Sequence, residues 1–550
     1  MNQAAVAFDD IVDTYYHTWF RYHPEAAVDA GVEGYAHLLT PAGVARRGAL
    51  VCLNDELRVE LEELDAGKLE ADRALDLKLL QGAIQVENQG LLDIEPRQPH
   101  PGQWLPVNAI YQLTIRPVAG FEAALRARLE AVPAHLRAAQ DDLRPQAARI
   151  PLPWLQSAVT ESRQGAGFVR ALPQHPKLAG IAGLEQPLER AAQALVDYAA
   201  FLENELTPQA AGDFACGRPR FETLLQQRHF LDIGVDALYA FGQELVERTR
   251  RELAVACREV FGTNDLRAAL ARLQASHPSK QTLLATYRAQ MQAARAFVRD
   301  RNLVSVPAAE QLEVVETPTF LRHQIPFAAY CEPAPNDSAQ RGHYYVTPPQ
   351  SEEELAEHDD IGLMHTCVHE AWPGHHLQFV TANLNPAARR RPRLLNASAT
   401  FYEGWALYSE QLMHEEGFLN RPESRVILLR DRLWRALRIL IDIEIHTRNI
   451  SMETAADRLV TELGFPRSQA LAELTWYSQA PTVPFGYATG WALINALRDH
   501  LRRAPLSLPL KIFHDKLLSV GSVALPLVIQ QVFGEPVWRE VRQRVFGGAA

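Results

Sequence analysis

The amino-acid sequence predicts a mainly α-helical protein with a small antiparallel β edge near its middle. Three observations carry that prediction. Apolar residues recur at three- and four-residue spacing over most of the 550 residues, the pattern of amphipathic helices. Helix-starting and helix-ending residues accompany it. Segments with the β-branched and aromatic enrichment of strands are few.

Taken in chain order, Thr40-Pro41 reads as an N-cap followed by proline at the first helical position, leading into GVARRGALVCLNDELRVELEEL. Further helices are predicted near residues 68–92, 119–141, 187–206, 235–260, 280–299, 423–450 and 487–503. The strand-like segments are LEVVETPTFL (312–321) and HYYVTPP (343–349), with the turn-rich CEPAPNDSAQRG (331–342) between them. They are predicted to form a hairpin-like edge. Proline-rich breaks fall at 96–106 and 144–154, and no internal repeat is visible. A boundary near residue 230 separates an N-terminal helical scaffold lobe (1–230) from a helical lobe (231–550) that holds every chemically informative cluster. The alternative is one continuous domain.

Composition narrows the function classes. The chain is 47% hydrophobic and 22% charged, which is ordinary for a globular protein. Its formal charge of −11, with no Lys/Arg-rich run, argues against nucleic acid or an anionic membrane as partner. Five scattered cysteines without a CxxC pair point to reduced thiols. The start, MNQAAVAFDD, carries acids where an export signal needs a basic and then an apolar stretch. No run approaches the roughly 18 apolar residues of a membrane helix. A cytoplasmic location is the expectation.

The informative stretch is IGLMHTCVHEAWPGHHLQF, residues 361–379. Zinc hydrolases commonly use His-Glu-x-x-His, in which two histidines one helical turn apart bind the metal and the Glu is the general base. Here His369-Glu370-Ala371-Trp372 begins that pattern and Pro373 interrupts it. On a continuous helix His369 and His375 would lie about 600° apart in rotation and so face different ways. His376 would return to the same face but about 10.5 Å along the axis. Pro373 disfavours helix at Trp372, and Gly374 permits a sharp bend. Pro-Gly therefore reads as a two-residue bulge that brings His375 to the second-ligand place. His376 is the competitor, and the i, i+4 pair His365/His369 is a third option. The plain alternative is a helix end with surface histidines; four histidines within twelve residues, one followed by Glu, argue against it.

A zinc site of this kind needs a third protein ligand and leaves its fourth position open. The candidate is Glu403 in ATFYEGWALYSEQL (399–412), with Glu410 on the same helix face. Either acid alone reads as a solvated helix residue; the aromatic surroundings of Glu403 favour a ligand. On the helix near 429–451, Arg438, Asp442 and His446 form one polar stripe. That stripe is an ordinary intrahelical pairing, or it faces a cleft with His446 bonding substrate or oxyanion and Arg438 binding a carboxylate. Tyr487, at the start of a helix, is a candidate oxyanion donor or simply a packed aromatic.

At these residues the sequence resembles a bacterial family known as domain of unknown function 885, whose members look like distant relatives of the gluzincin metallopeptidases. The resemblance rests on HEAWPGHHLQ (369–378), EGWALYSE (403–410), the Arg438/Asp442/His446 stripe, Tyr487-Ala-Thr-Gly490 and FRYHPEAAVDAG (20–31). It implies a helical, zincin-like metallohydrolase body with one Zn2+ per chain. His369, a histidine of the 375/376 pair and Glu403 would be ligands, and Glu370 the base. The strand at Tyr344 and Tyr345 would be the edge that binds an extended peptide by strand addition. Two positions depart from the family pattern: Pro481-Thr482-Val483 where Pro-Gly-Gln is commoner, and Glu444 where glycine is expected. Both bear on substrate preference, and the second on the cleft. The function expected is a zinc metallopeptidase acting on short peptides. The alternatives are a metal-dependent hydrolase of other amides or esters, and a non-catalytic binding protein with a degenerate motif.

Overall fold

The computed structural model describes residues 3–319, 322, 325, 327–503 and 508–547. It is mainly helical, with one three-stranded sheet. The chain divides into two compact units, the first Met1–Phe214 with the short segments Pro318–Pro326 and Ala334–Asp337, the second the remainder.

The first unit contains the long helices α1 (Gln3–Trp19), α2 (Val44–Glu63), α3 (Ala71–Gln89), α4 (Phe121–Leu143), α5 (Leu152–Ala171) and α6 (Glu185–Phe201). Their periodic apolar faces form its core, with α6 packed on α4 and α5. A polar knot joins α1, α2 and α3, where the Glu87 carboxylate accepts from Trp19 Nε1 at 3.2 Å and from Asn54 Nδ2 at 2.8 Å. Thr40 is not the N-cap of α2: that helix begins after Gly43, and the Thr40 hydroxyl donates to Glu25 at 2.5 Å.

The second unit is built on α7 (Arg218–Gln227), α8 (Val235–Phe261), α9 (Leu283–Asp300), α10 (Asp360–Glu370), α11 (His375–Leu384), α12 (Ala399–Glu415), α13 (Pro422–Thr447), α14 (Arg467–Gln479) and α15 (Gly486–Arg503). A boundary at 230 would leave α7 with the first lobe, whereas α7 belongs to this unit. Helix α10 packs against α9, α12 and α13. Helices α12 and α15 cross at two glycines. A Cβ on Gly404 would lie 2.6 Å from Gly490 Cα, and one on Gly490 would lie 1.9 Å from the Thr400 carbonyl oxygen. Only residues without a side chain permit that approach, and it sets Glu403 beside Tyr487. Among the described residues, no single helix is long and apolar enough to cross a membrane.

The sheet corrects the hairpin expectation. β1 (Gln311–Glu316) runs parallel to β3 (Arg341–Val346), and the antiparallel partner of β3 is the short β2 (Ala328–Cys331). The order is β1-β3-β2, so β3 is the central strand. The end of the 312–321 segment, residues 320 and 321, lies outside the described residues. Both edges of β3 are already hydrogen-bonded, and no peptide can add to it. Tyr344 and Tyr345 are accordingly buried, at 2% and 8% exposure, rather than presented at an edge.

Candidate metal centre

Helix α10 ends at Glu370, and α11 begins five residues later at His375. Between them the Trp372–Pro373 peptide is cis, and the Gly374 N–H donates to the Val368 carbonyl at 3.1 Å. A Cβ on Gly374 would lie 1.8 Å from the His369 carbonyl oxygen. The chain thus folds back on the end of its own helix at a point only glycine can occupy. The indole of Trp405 on α12 donates to the Pro373 carbonyl at 2.7 Å, tying this turn to the helix that carries Glu403.

The result is a cluster of His369, His375 and Glu403, whose ligating atoms all lie within 4.8 Å of one another. Glu403 Oε2 is 3.3 Å from His375 Nε2 and 3.8 Å from His369 Nε2. It has no hydrogen-bond partner despite being buried. Two ligands about 2.1 Å from a tetrahedral zinc are about 3.4 Å apart, close to the spacing of Glu403 from each of the two histidines. Two neutral imidazoles and a carboxylate are the donor set of a zinc with an open fourth position. All three residues keep about a tenth of their side-chain surface exposed. Zinc therefore fits these residues.

A further carboxylate orients the first histidine. Glu410, at 1% exposure, accepts from His369 Nδ1 at 2.8 Å through one oxygen and meets His365 Nδ1 at 3.2 Å through the other. With Nδ1–H committed, the Nε2 lone pair of His369 is left for a cation. Burial opposes charging His369, but Glu403, Glu410 and Glu370 outweigh it and hold the imidazole pKa at about 10. Burial likewise works against ionised Glu403, and the two histidines override it to keep the carboxyl well below its ordinary range. The cluster is built to hold positive charge.

His376 is not a ligand. It is fully buried, with Nε2 on Glu310 at 3.0 Å and Nδ1 against the Tyr330 hydroxyl at 3.1 Å. A Cβ on Gly342 would lie 2.8 Å from its ring. His376 is thus the post on which the sheet meets α11. Burial pushes its pKa down, so it is the neutral imidazole that those two bonds require.

Glu370 is partly exposed, and among the described residues no hydrogen bond occupies it. Tyr487 lies beside Glu403: burial, then the Glu403 carboxylate, raise its pKa well above normal, so its hydroxyl stays protonated. Tyr344 is near Glu370, which adds to the effect of burial in raising that phenol.

The stripe on α13 is placed differently from the expectation. Every residue from Ala436 to His446 is buried, so no wet or cleft-facing side exists there. His446 Nδ1 accepts from the Cys216 N–H at 3.3 Å, and Nε2 donates to the Tyr477 carbonyl at 3.0 Å. With both nitrogens spent on backbone groups, His446 positions the scaffold and does no proton chemistry. Asp442 accepts from the Thr482 N–H at 3.1 Å. Arg438 is 4% exposed, donates to Tyr477 and Glu473, and lies 4.4 Å from the Trp434 ring and 4.5 Å from the Tyr487 ring. It supports Tyr487. Glu444 accepts from Tyr239 at 2.7 Å and from Arg458 at 2.6 Å, a scaffold pairing rather than a feature of the cluster. Sequence reasoning missed the bridging role of Glu410 and the tether at Trp405. The i, i+4 pair His365/His369, aligned on one face with an acid on a neighbouring helix, was the available signal for the first.

Fold and site together define a mainly helical protein whose second unit carries a two-histidine, one-glutamate cluster. The chain belongs to the bacterial family of proteins of unknown function DUF885, whose model matches residues 24–532. No curated protein matches it. Among solved structures it is similar to a protein of unknown function from Shewanella oneidensis, with 21% identity over 96% of this chain and 99% of that one and a TM-score of 0.79. It is also similar to a protein from Colwellia psychrerythraea, with 16% identity over 99% and 100% of the two chains and a TM-score of 0.79. Both are described as putative lipoproteins. That finding overturns the cytoplasmic expectation, which rested on unpaired cysteines and acids near the start; neither feature reports a compartment by itself.

Proposed function

We propose that the protein is a zinc-dependent hydrolase of short peptides. The observation that carries this reading is the convergence of His369, His375 and Glu403, with one imidazole oriented by Glu410 and the free carboxylate of Glu370 next in sequence. The resemblance to gluzincin metallopeptidases supports it.

A zinc ion held by the three donors would polarise a carbonyl and lower the pKa of water toward about 7. Glu370 takes the proton of the attacking water and passes it to the leaving amine. Tyr487, kept protonated by its surroundings, donates to the oxyanion as charge develops. Glu410 keeps His369 in the tautomer the site needs.

The test is elemental analysis of protein purified without chelator or metal-affinity steps, beside His369→Ala and Glu370→Gln, with turnover of a short-peptide library. The expected result is one zinc per chain in the wild type and in Glu370→Gln, loss in His369→Ala, and peptide cleavage by the wild type only. A chain that takes up no zinc when it is supplied refutes the metal site. An active Glu370→Gln enzyme refutes the mechanism.

A further inference from the structure

Three aromatic rings beside the candidate metal centre stay partly exposed: Tyr330 on β2, Phe379 on α11 and Tyr402 on α12. Other rings of α12 are treated differently, for Phe401, Trp405 and Tyr408 are fully buried. The three open rings come from three separate elements, so no single apolar stripe accounts for them.

Their places are fixed against the ligands themselves. Phe379 lies four residues after His375 on α11, one turn along the same helix face. Its ring centroid is 5.9 Å from that of the imidazole, at an interplanar angle of 29°. Tyr402 directly precedes Glu403, and its centroid is 6.3 Å from Phe379 and 6.4 Å from His375. Tyr330 lies 6.5 Å from Phe379 at 20°, and its hydroxyl meets His376 Nδ1 at 3.1 Å. All of these spacings fall within the roughly 4.5–7 Å of interacting rings. Phe379 is the middle of the array, since it neighbours His375, Tyr402 and Tyr330 alike. His375 and Glu403 keep 10% and 13% of their side-chain surface exposed. The ligands that remain open are thus the ones with open rings against them. The array carries the opening of the cluster onward as an apolar wall.

A contiguous apolar surface left open beside a few polar groups is the composition of a ligand site, where the rings accept bulk and the polar groups fix orientation. A wall that starts at a metal ligand reaches the part of a substrate next to the bond under attack. We propose that Phe379, with Tyr402 and Tyr330, receives a large apolar side chain of the substrate, so that cleavage falls beside an aromatic or bulky aliphatic residue. The proposal rests on the hydrolase reading for the nature of the ligand. The side chain belongs either to the residue before the bond or to the one after it.

The experiment compares three probes, Ala-Ala-Ala-Ala, Ala-Ala-Phe-Ala and Ala-Ala-Asp-Ala, on zinc-loaded wild type, Phe379→Leu and Phe379→Ala. Rates give kcat and KM, and mass spectrometry of the products shows on which side of the phenylalanine the chain is cut. Binding is followed by calorimetry on Glu370→Gln and on Glu370→Gln/Phe379→Ala, where turnover does not intervene. In the wild type kcat/KM for the phenylalanyl peptide is expected to exceed that for tetra-alanine at least roughly 10-fold, with the aspartyl peptide no better than tetra-alanine. Phe379→Ala brings the first ratio within about two-fold while one zinc per chain is retained, and Phe379→Leu, which keeps apolar bulk, preserves part of it. A merely structural loss would lower all three rates together and leave their ratios unchanged.

Equal treatment of the three probes by the wild type overturns the proposal, as does cleavage away from the phenylalanine or a ratio that survives in Phe379→Ala. Should Phe379→Ala not fold, the wild-type ranking and an undiminished ratio in Phe379→Leu decide in the same sense. Cleavage without preference for the phenylalanyl peptide refutes this inference and leaves the hydrolase reading standing. Phe379-dependent binding to Glu370→Gln, without cleavage of any probe by the wild type, does the reverse.

Discussion

Gly374→Ala isolates what the Pro-Gly turn does for the cluster. The added methyl would meet the His369 carbonyl oxygen at 1.8 Å and the Val368 carbonyl oxygen at 2.4 Å. Ordinary carbon–oxygen contact is about 3.2–3.5 Å, so the overlap exceeds an ångström. Both obstacles are backbone atoms, and no rotamer change relieves them. The turn must move as a whole, and His375 moves with it as the next residue. Zinc–nitrogen bonds tolerate only about 0.2 Å of variation. The substitution is expected to cost roughly 3–5 kcal/mol of stability and to weaken zinc binding at least about 100-fold. Denaturant unfolding and competition with a chromophoric chelator measure the two losses separately. Gly167→Ala is the control: it lies within α5 with nothing near its Cβ, and it should stabilise by about 0.5–1 kcal/mol. A Gly374→Ala protein with wild-type stability and wild-type zinc affinity would show that the turn does not set the ligand geometry.

Two further outcomes follow from the buried carboxylate and the buried histidines. Glu410→Gln should leave the chain folded but weaken zinc by roughly 10–100-fold, since an amide is a poorer acceptor for His369 Nδ1–H; chelator competition reads this, and an unchanged affinity removes Glu410 from the site. Burial depresses His229 to a pKa of about 3, and His358 and His514 to about 4. A histidine whose folded pKa is depressed contributes stability that is present above about 6.5 and is lost as pH falls toward its folded value. Three such groups give a loss of up to about 4 kcal/mol per pH unit near pH 5. In metal-free protein His369 works in the opposite window: its contribution is full below about 6.5 and fades as pH rises through about 10. Urea unfolding at pH 7, 6 and 5 tests the acid side, and a flat profile contradicts it.

The parts legible in the sequence are those that local chemistry decides. Periodicity predicted a helix over 235–260 where the structure has Val235–Phe261, and one over 423–450 where it has Pro422–Thr447, because an apolar stripe is written in consecutive turns. The choice between His375 and His376 is not written locally. What separates them is Glu310 before β1, Tyr330 in β2 and Gly342 in β3, all reaching the ring of His376 from distant parts of the chain. The same holds for His446, whose stripe assumed one polar face. On a helix buried on every side a polar residue must be satisfied internally, and its partners at Cys216 and Tyr477 are not neighbours in sequence. Sheet order was hidden for a related reason: β2 is four residues long and half-buried throughout, with no alternation to reveal it.

The departure at Thr482 acquires a meaning that neither the family pattern nor the residue type supplies. Thr482 has a φ of 70°, a left-handed conformation that glycine adopts freely and that costs a side-chain-bearing residue about 1–2 kcal/mol. Two interactions offset that cost. Its N–H donates to the Asp442 carboxylate, and its hydroxyl pairs with His229. A glycine could keep the first and not the second. The hydroxyl completes a chain running from Asp442 through Thr482 and His229 to Ser398, at the start of the helix that carries Glu403. Threonine in place of glycine therefore adds a tie between the turn after α14 and the start of the helix that carries Glu403, so the substitution bears on where that helix sits rather than on a contact with the cluster.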